Sequence, residues 1–205
     1  MNILKRGSRG EAVKAIQKAL HLYQDGYFGA LTEERVKQFQ EENGLTVDGI
    51  VGPATLAKLL RKTFFLRKSK RMINEIIVHC TATPEGRECS ISEIRQWHKA
   101  RGFADIGYHY VIHLNGIVDV GRDVDISGAH CTGHNAHSIG VCYVGGVAKD
   151  GTIPKDTRTD EQKASLLALL ADLKKLYPNA SIRGHRDFAN KACPSFDATK
   201  EYRKI

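Results

Sequence analysis

EIIVHCTAT (75–83) and ASIRGHRDFANKACPSFD (180–197) together set the fold of the larger part of this 205-residue chain. In the first, Ile76, Ile77 and Val78 form a short β-branched run that reads as a buried strand and ends at His79. In the second, 180–183 reads as a strand stopping just before His185, and Cys193 follows in a turn stiffened by Pro194. If the two strands are neighbours, both imidazoles emerge at the same edge of one sheet. The sequence separation of the three residues is too long for a local helical pair, so only the fold can bring them together. Taken singly, a histidine at a strand end is ordinarily a satisfied surface residue and a lone cysteine is ordinarily core. Two imidazoles and a thiol together are a ligand set that zinc favours, and three protein ligands leave a position for water, where a structural site closes with four.

Further out, strand and helix signals alternate. SISEIRQWHKARG (90–102) opens on a Ser90-x-x-Glu93 capping box and reads as a helix ending near Gly102. YHYVIHL (108–114) and IVDVG (117–121) flank Asn115-Gly116, a strong hairpin signal, and SIGVCYVG (138–145) supplies another strand. GGVAKDG (145–151) reads as a flexible turn, and no phosphate-cradling GxGxxG or GxxxxGK[ST] motif occurs. A long amphipathic helix opened by Thr159-x-x-Gln162 carries Leu166, Leu167, Leu169, Leu170, Leu173 and Leu176 and is stopped by Pro178. These signals predict an α/β domain over 73–205, a mixed sheet flanked by helices with the ligand set at the sheet edge.

The first 60 residues differ in character. DGYFG (25–29) and DGIVG (48–52) are tight-turn signals set 23 positions apart. Between them Thr32 is placed to cap a helix whose Val36 and Phe39 share a face; upstream, Val13, Ile16 and Leu20 form a second helical stripe. Pro53 suits a first helical position ahead of Leu56, Leu59 and Leu60. A small three-helix domain over 1–60 is the expectation. RKTFFLRKSKRM (61–72), with six basic residues around Phe64, Phe65 and Leu66, reads as a connector whose aromatics dock on a neighbouring domain.

Composition narrows the function classes. Net charge of +8 favours anionic partners. Aromatics are sparse, however, and there is no RNP-type, helix-turn-helix or CxxC motif, so no nucleic-acid partner is expected. Five cysteines without framework spacing are expected to be reduced. The N-terminal MNILKRGSRGEAVKAIQ lacks the apolar core of a secretory signal, and nothing approaches the roughly 18 apolar residues of a membrane span. A product made in the cytoplasm, monomeric and without a transmembrane segment, is the expectation.

Two resemblances sharpen this reading. Residues 1–60 resemble the peptidoglycan-binding domain type 1 family through Ile16-Gln17, DGYFG, Phe39-Gln40, Gly44-Leu45 and DGIVG. Residues 73–197 resemble the zinc-dependent N-acetylmuramoyl-L-alanine amidases of the phage-lysozyme type, which share the peptidoglycan-recognition-protein fold. VHCTAT (78–83), EIRQWHKARGF (93–103), IGYHYVI (106–112), GxNxxSIGVCYVGG (133–146), GHRDF (184–188) and KACPSFD (191–197) carry it. The resemblance implies one Zn²⁺ per chain on His79, His185 and Cys193, a catalytic tyrosine at Tyr108 and a catalytic lysine at Lys191. A zinc so held lowers the pKa of its bound water toward about 7 and polarises the scissile carbonyl. A phenol or a fixed cation aimed at the oxyanion then stabilises charge as it develops. Which of Tyr108 and Lys191 serves the oxyanion and which the leaving amine stays open at this point.

His130, His134 and His137 have the spacing for a second metal but lack supporting carboxylates; they are expected to line the substrate groove, with His130 and Asn135 binding substrate. His98, His109 and His113 are expected to be structural. The resemblance implies an endolysin that cleaves the amide between N-acetylmuramic acid and L-alanine of peptidoglycan and reaches the wall by holin-type release. The alternatives are a non-catalytic peptidoglycan-recognition protein on the same fold, or a regulator that binds another protein.

Overall fold

The computed structural model describes residues 3–62 and 66–205; Phe64, Phe65 and the side chain of Leu60 lie outside the described residues. The chain divides into two units, Met1–Phe64 and Phe65–Ile205.

In the first unit, α1 (Glu11–Ala19), α2 (Ala30–Glu42) and α3 (Pro53–Lys62) surround one core of Val13, Ile16, Leu20, Phe28, Val36, Phe39, Val51 and Leu59. The repeat seen in the turns extends to a buried polar lattice. Gln17 Nε2 donates to Asp25 Oδ1, Tyr27 O and Thr32 Oγ1, while its Oε1 accepts from Gly26 N. Gln40 does the same with Asp48 Oδ1, Ile50 O, Thr55 Oγ1 and Gly49 N. Every partner is displaced by 23 positions, so the three helices are two copies of one helix–turn–helix step sharing the middle helix. Thr32 is therefore not the cap that its position suggests. The helix starts at Ala30 after Gly29, and the Thr32 hydroxyl is buried as the acceptor for Gln17.

The second unit is built on a five-stranded mixed sheet in the order β4-β3-β5-β1-β7, with β1 (Glu75–Cys80), β3 (Tyr110–Ile112), β4 (Val118–Val120), β5 (Ser138–Tyr143) and β7 (Ser181–Gly184). All pairings are parallel except the β3–β4 hairpin, which turns at Asn115-Gly116 as its sequence predicts. β2 (Thr83–Pro84) and β6 (Gly146–Val147) form a separate parallel pair, so the stretch read as a flexible turn starts as paired backbone. α4 (Ile91–Ala100) places Ile94 against Val111 and Val144. Ser90 caps it, but Glu93 bonds Arg87 rather than closing the box.

α5 (Asp160–Leu176) has the full Thr159–Gln162 box and buries Leu166, Leu169, Leu170 and Leu173, each worth about 1.5–3 kcal/mol of transfer free energy. Leu167 faces solvent, since a helix facing a sheet on one side cannot bury adjacent positions throughout. Gln162 of the box also donates to Ile112 O and Val144 O, pinning the helix N-terminus over two strands. α6 (Ala198–Glu201) closes the chain beside β7.

The stretch read as a connector is used at both ends. Residues 61–62 end α3, and Arg67, Ser69 and Arg71 are tied into the second unit. Arg67 pairs with Asp123 and Asp125, Ser69 N donates to the Tyr177 hydroxyl, and Arg71 donates to the carbonyls of Val124, Asn135, Ala136 and Ser138.

Candidate metal centre

β1 and β7 lie side by side in parallel, with Val78 opposite Gly184, so His79 and His185 leave the same end of adjacent strands. The loop carrying Cys193 is folded back onto them by short polar contacts. Arg186 N donates to Cys193 O at 2.7 Å, the Tyr143 hydroxyl to Pro194 O at 2.7 Å, and Ser195 Oγ to Gly146 O at 2.7 Å. As a result one ligand atom from each of His79, His185 and Cys193 lies within 4.8 Å of the other two. Among the described residues no second group of this kind forms. His134 instead pairs with Glu75 and stacks on Phe188, and His137 faces the Met72 carbonyl.

The orientation of His79 is fixed from behind. Its Nε2 lies 3.0 Å from Nδ1 of His130, leaving Nδ1 to face Cys193 Sγ at 3.8 Å. His130 Nε2 in turn lies 3.3 Å from Ser138 Oγ. The pocket for the His130 ring exists because two neighbours lack a side chain: a Cβ on Gly128 or Gly140 would come within 2.3 Å or 2.6 Å of that ring. The loop holding His130 is shaped by Asn135, whose Oδ1 accepts from the backbone N–H groups of His130 and Cys131. Beyond it, His109 accepts from Gly140 N and meets Arg71, so Arg71 braces this loop from the far side. No local sequence signal marks Arg71, because the carbonyls it bonds lie more than fifty residues away.

Electrostatics suit a cation bound by neutral donors. Burial lowers the pKa of His79 well below 6.5, and His130, His185 and Lys191 push it the same way. Burial and Lys191 lower His185 likewise. Both imidazoles are therefore unprotonated and free to ligate near neutral pH. Cys80 N donates to Cys193 Sγ at 3.3 Å. The hydrogen bond between the two thiols lowers the pKa of Cys80 and raises that of Cys193. Two neutral imidazoles and the sulfur of Cys193 fit a borderline-soft divalent ion.

Tyr108 lies beside this cluster, its ring 5.2 Å from His79 and 5.1 Å from His98. His98 accepts from Gly107 N at 2.8 Å and thereby holds the segment ahead of the tyrosine. Burial, with the neighbouring sulfurs of Cys142 and Cys193, pushes the phenol well above 10, so it stays protonated. Lys191 is exposed in the ligand-bearing loop. His113 is held away from the centre by Glu88 and Asp119.

The N-acetylmuramoyl-L-alanine amidase model matches residues 69–196, more than half of the chain. The chain belongs to that amidase family. The peptidoglycan-binding domain model matches residues 9–59. Among known relatives, the endolysin of Enterobacteria phage K11 is 45% identical over 124 residues, covering 60% of this chain and 82% of that protein. The endolysin of Escherichia phage T7 is 42% identical over 137 residues, covering 67% and 90%. Of solved structures, the endolysin amidase LysCS from Clostridium intestinale superposes with a TM-score of 0.55 at 28% identity, covering 66% of this chain and 84% of that one. Drosophila PGRP-LB has a TM-score of 0.56 at 21% identity, covering 68% and 85%, a likeness of fold. The amidase is thus a hydrolase related to phage endolysins, with its His/His/Cys cluster at the strand ends from which its fold was read. No helix among its described residues is long and apolar enough to cross a membrane.

Proposed function

We propose that this amidase is a zinc enzyme, one ion per chain, that hydrolyses the amide joining the lactyl group of N-acetylmuramic acid to L-alanine in peptidoglycan. The observation that carries the reading is the convergence of His79, His185 and Cys193, with His79 presented through Nδ1 because His130 occupies its other nitrogen. Bound there, zinc supplies a Lewis acid that acidifies water and polarises a carbonyl.

The chain's own groups do the rest. Tyr108, protonated and fixed between His79 and His98, donates its hydroxyl to the carbonyl oxygen as negative charge grows on it. Lys191, exposed at the rim, brings positive charge to the same oxygen and steers the anionic stem peptide. His130 is a positioning residue: it accepts the His79 Nε2 proton and so fixes the tautomer of the ligand. Asn135 acts one step further out, through the loop that carries His130.

The first unit serves as a wall anchor that raises the local concentration of an insoluble substrate. The enzyme works as a monomer without nucleic acid, and it is made in the cytoplasm and reaches the wall through holin-type lesions. Mass spectrometry of muropeptides released from purified sacculi tests the central reading: free N-acetylmuramic acid lactyl carboxylates and new L-alanine amino termini are expected, whereas cleavage within the peptide or the glycan would overturn it.

A further inference from the structure

On the edge of the sheet away from the hairpin, the end of α5, strand β7 and the turn after α6 line an open surface pocket of about 310 Å³. Lys174, Arg183 and Arg203 line it, and no acidic side chain does. The Lys174 ammonium is held in place at its wall, donating to Pro178 O at 2.7 Å and to Ala180 O at 2.8 Å. Two of its three protons are spent on carbonyls, which leaves one donor and the full charge unneutralised. Arg183 and Arg203 make no ion pair among the described residues. The carboxylates nearby in sequence are already engaged. Glu201 pairs with Arg158, and Asp187 accepts from Thr199 and from Gly184 N. None of the pocket's residues belongs to the metal centre.

Three cations line one concavity, and the donor count selects among the anions that could join them. A single carboxylate has one negative charge and is filled by one guanidinium fork. A phosphate ester has up to two charges and three acceptor oxygens, which matches two guanidinium forks and an ammonium. The pocket is of the size that takes a small ligand group. We propose that this pocket is a binding site for a phosphate group, separate from the catalytic cluster and independent of which bond the enzyme cuts.

The test uses the full chain loaded with zinc and inorganic pyrophosphate as the probe, followed by calorimetric titration at fixed ionic strength. Saturable binding of one pyrophosphate per chain is expected in the low-millimolar range or tighter. Arg183→Gln/Arg203→Gln, both at exposed positions, should weaken it roughly tenfold or more, because charge-assisted forks are lost. Lys18→Gln/Lys149→Gln removes the same net charge elsewhere and should leave binding unchanged. Retention on vesicles of phosphatidylcholine with phosphatidylglycerol, lost in the arginine variant, would name a lipid headgroup as the source. Pyrophosphate binding without vesicle retention would name a soluble phosphate ester. Absence of saturable binding, binding undiminished in the arginine variant, or an equal loss in the lysine control overturns the proposal.

Discussion

His79 and His130, 51 residues apart, meet nitrogen to nitrogen at 3.0 Å, and this contact decides which face of a metal-binding imidazole is presented. With the rear nitrogen left unbonded, His79 could rotate or take the other tautomer. His130→Ala is therefore expected to lower zinc affinity by about 10–100-fold, as loss of an outer-shell partner typically does, with the far-ultraviolet circular dichroism unchanged. Competition with a chromophoric chelator measures it. Gly140→Ala should reproduce the defect without substituting either histidine, since its new Cβ would fall on the His130 ring. Wild-type zinc affinity in both variants would show that the contact is incidental.

Tyr108→Phe keeps the ring against His79 and His98 and removes only the hydroxyl. If that hydroxyl serves the developing oxyanion, turnover on labelled sacculi should fall by roughly 10²–10³-fold while zinc content stays at one per chain. Lys191→Ala should also keep the metal and lose turnover. Full activity in the Tyr108→Phe variant would remove the phenol from the reaction.

The sequence was most legible where local chemistry leaves little choice. Asn115-Gly116 makes its hairpin, Thr159 and Gln162 close their box, and the two predicted strands ending near histidines become adjacent parallel strands. Their adjacency brings His79, His185 and Cys193 together, so the ligand set could be read before the geometry was known. What was illegible depends on partners distant in sequence. Thr32 looks like a cap because Ser and Thr often are; only packing reveals that Gln17, fifteen residues upstream, claims its hydroxyl. Arg71 lies in a basic stretch that reads as a connector, yet it satisfies four carbonyls around the His130 loop. His130 itself, expected in the substrate groove, is buried behind His79.

His113 gives the fold a pH dependence of definite sign. Burial alone would lower its pKa, but hydrogen bonds with Asp119 and Glu88 raise it from 6.5 to about 9. The folded state binds this proton more tightly than the unfolded chain does. The resulting stabilisation, up to about 3 kcal/mol, is fully present below about pH 6.5 and is lost as the pH rises through about 9. Urea denaturation of wild type at pH 6 and pH 9.5 should show this loss, and His113→Gln should show a smaller difference between the two. An equal difference in both proteins would place the dependence elsewhere.

Arg158 is the most deeply committed charge on the chain. Its guanidinium, with a side chain 2% exposed, bonds Asp156, Glu201 and the Tyr202 hydroxyl and lies over the Phe196 ring. It thus ties the segment before α5 to the terminal helix. Arg158→Ala removes the charge, the stacking and the satisfaction of two carboxylates at once, and a cost of about 2–4 kcal/mol is expected. Lysine cannot reproduce the planar fork, so Arg158→Lys should recover little of it. Denaturant midpoints of the three proteins decide the matter, and full recovery by lysine would show that charge alone suffices.

The twin glutamines of the first unit allow a prediction from symmetry. Gln17 and Gln40 each spend one amide on an Asp carboxylate, a carbonyl, a Thr hydroxyl and a turn N–H, with 2% and 1% of their surfaces exposed. Gln→Leu at either site matches size but strands those groups, and buried unsatisfied partners cost about 1–3 kcal/mol each when water cannot reach them. Because Asp25 and Asp48 are exposed and regain water, a net loss of about 2–4 kcal/mol is expected at each position. Native-state hydrogen exchange localises the effect: protection of amides in α1 and α2 should fall by similar amounts in Gln17→Leu and Gln40→Leu, while amides of β1 and β5 keep theirs. If only one substitution is felt, the two copies share a sequence pattern without sharing the energetic role that the matched hydrogen bonds assign them.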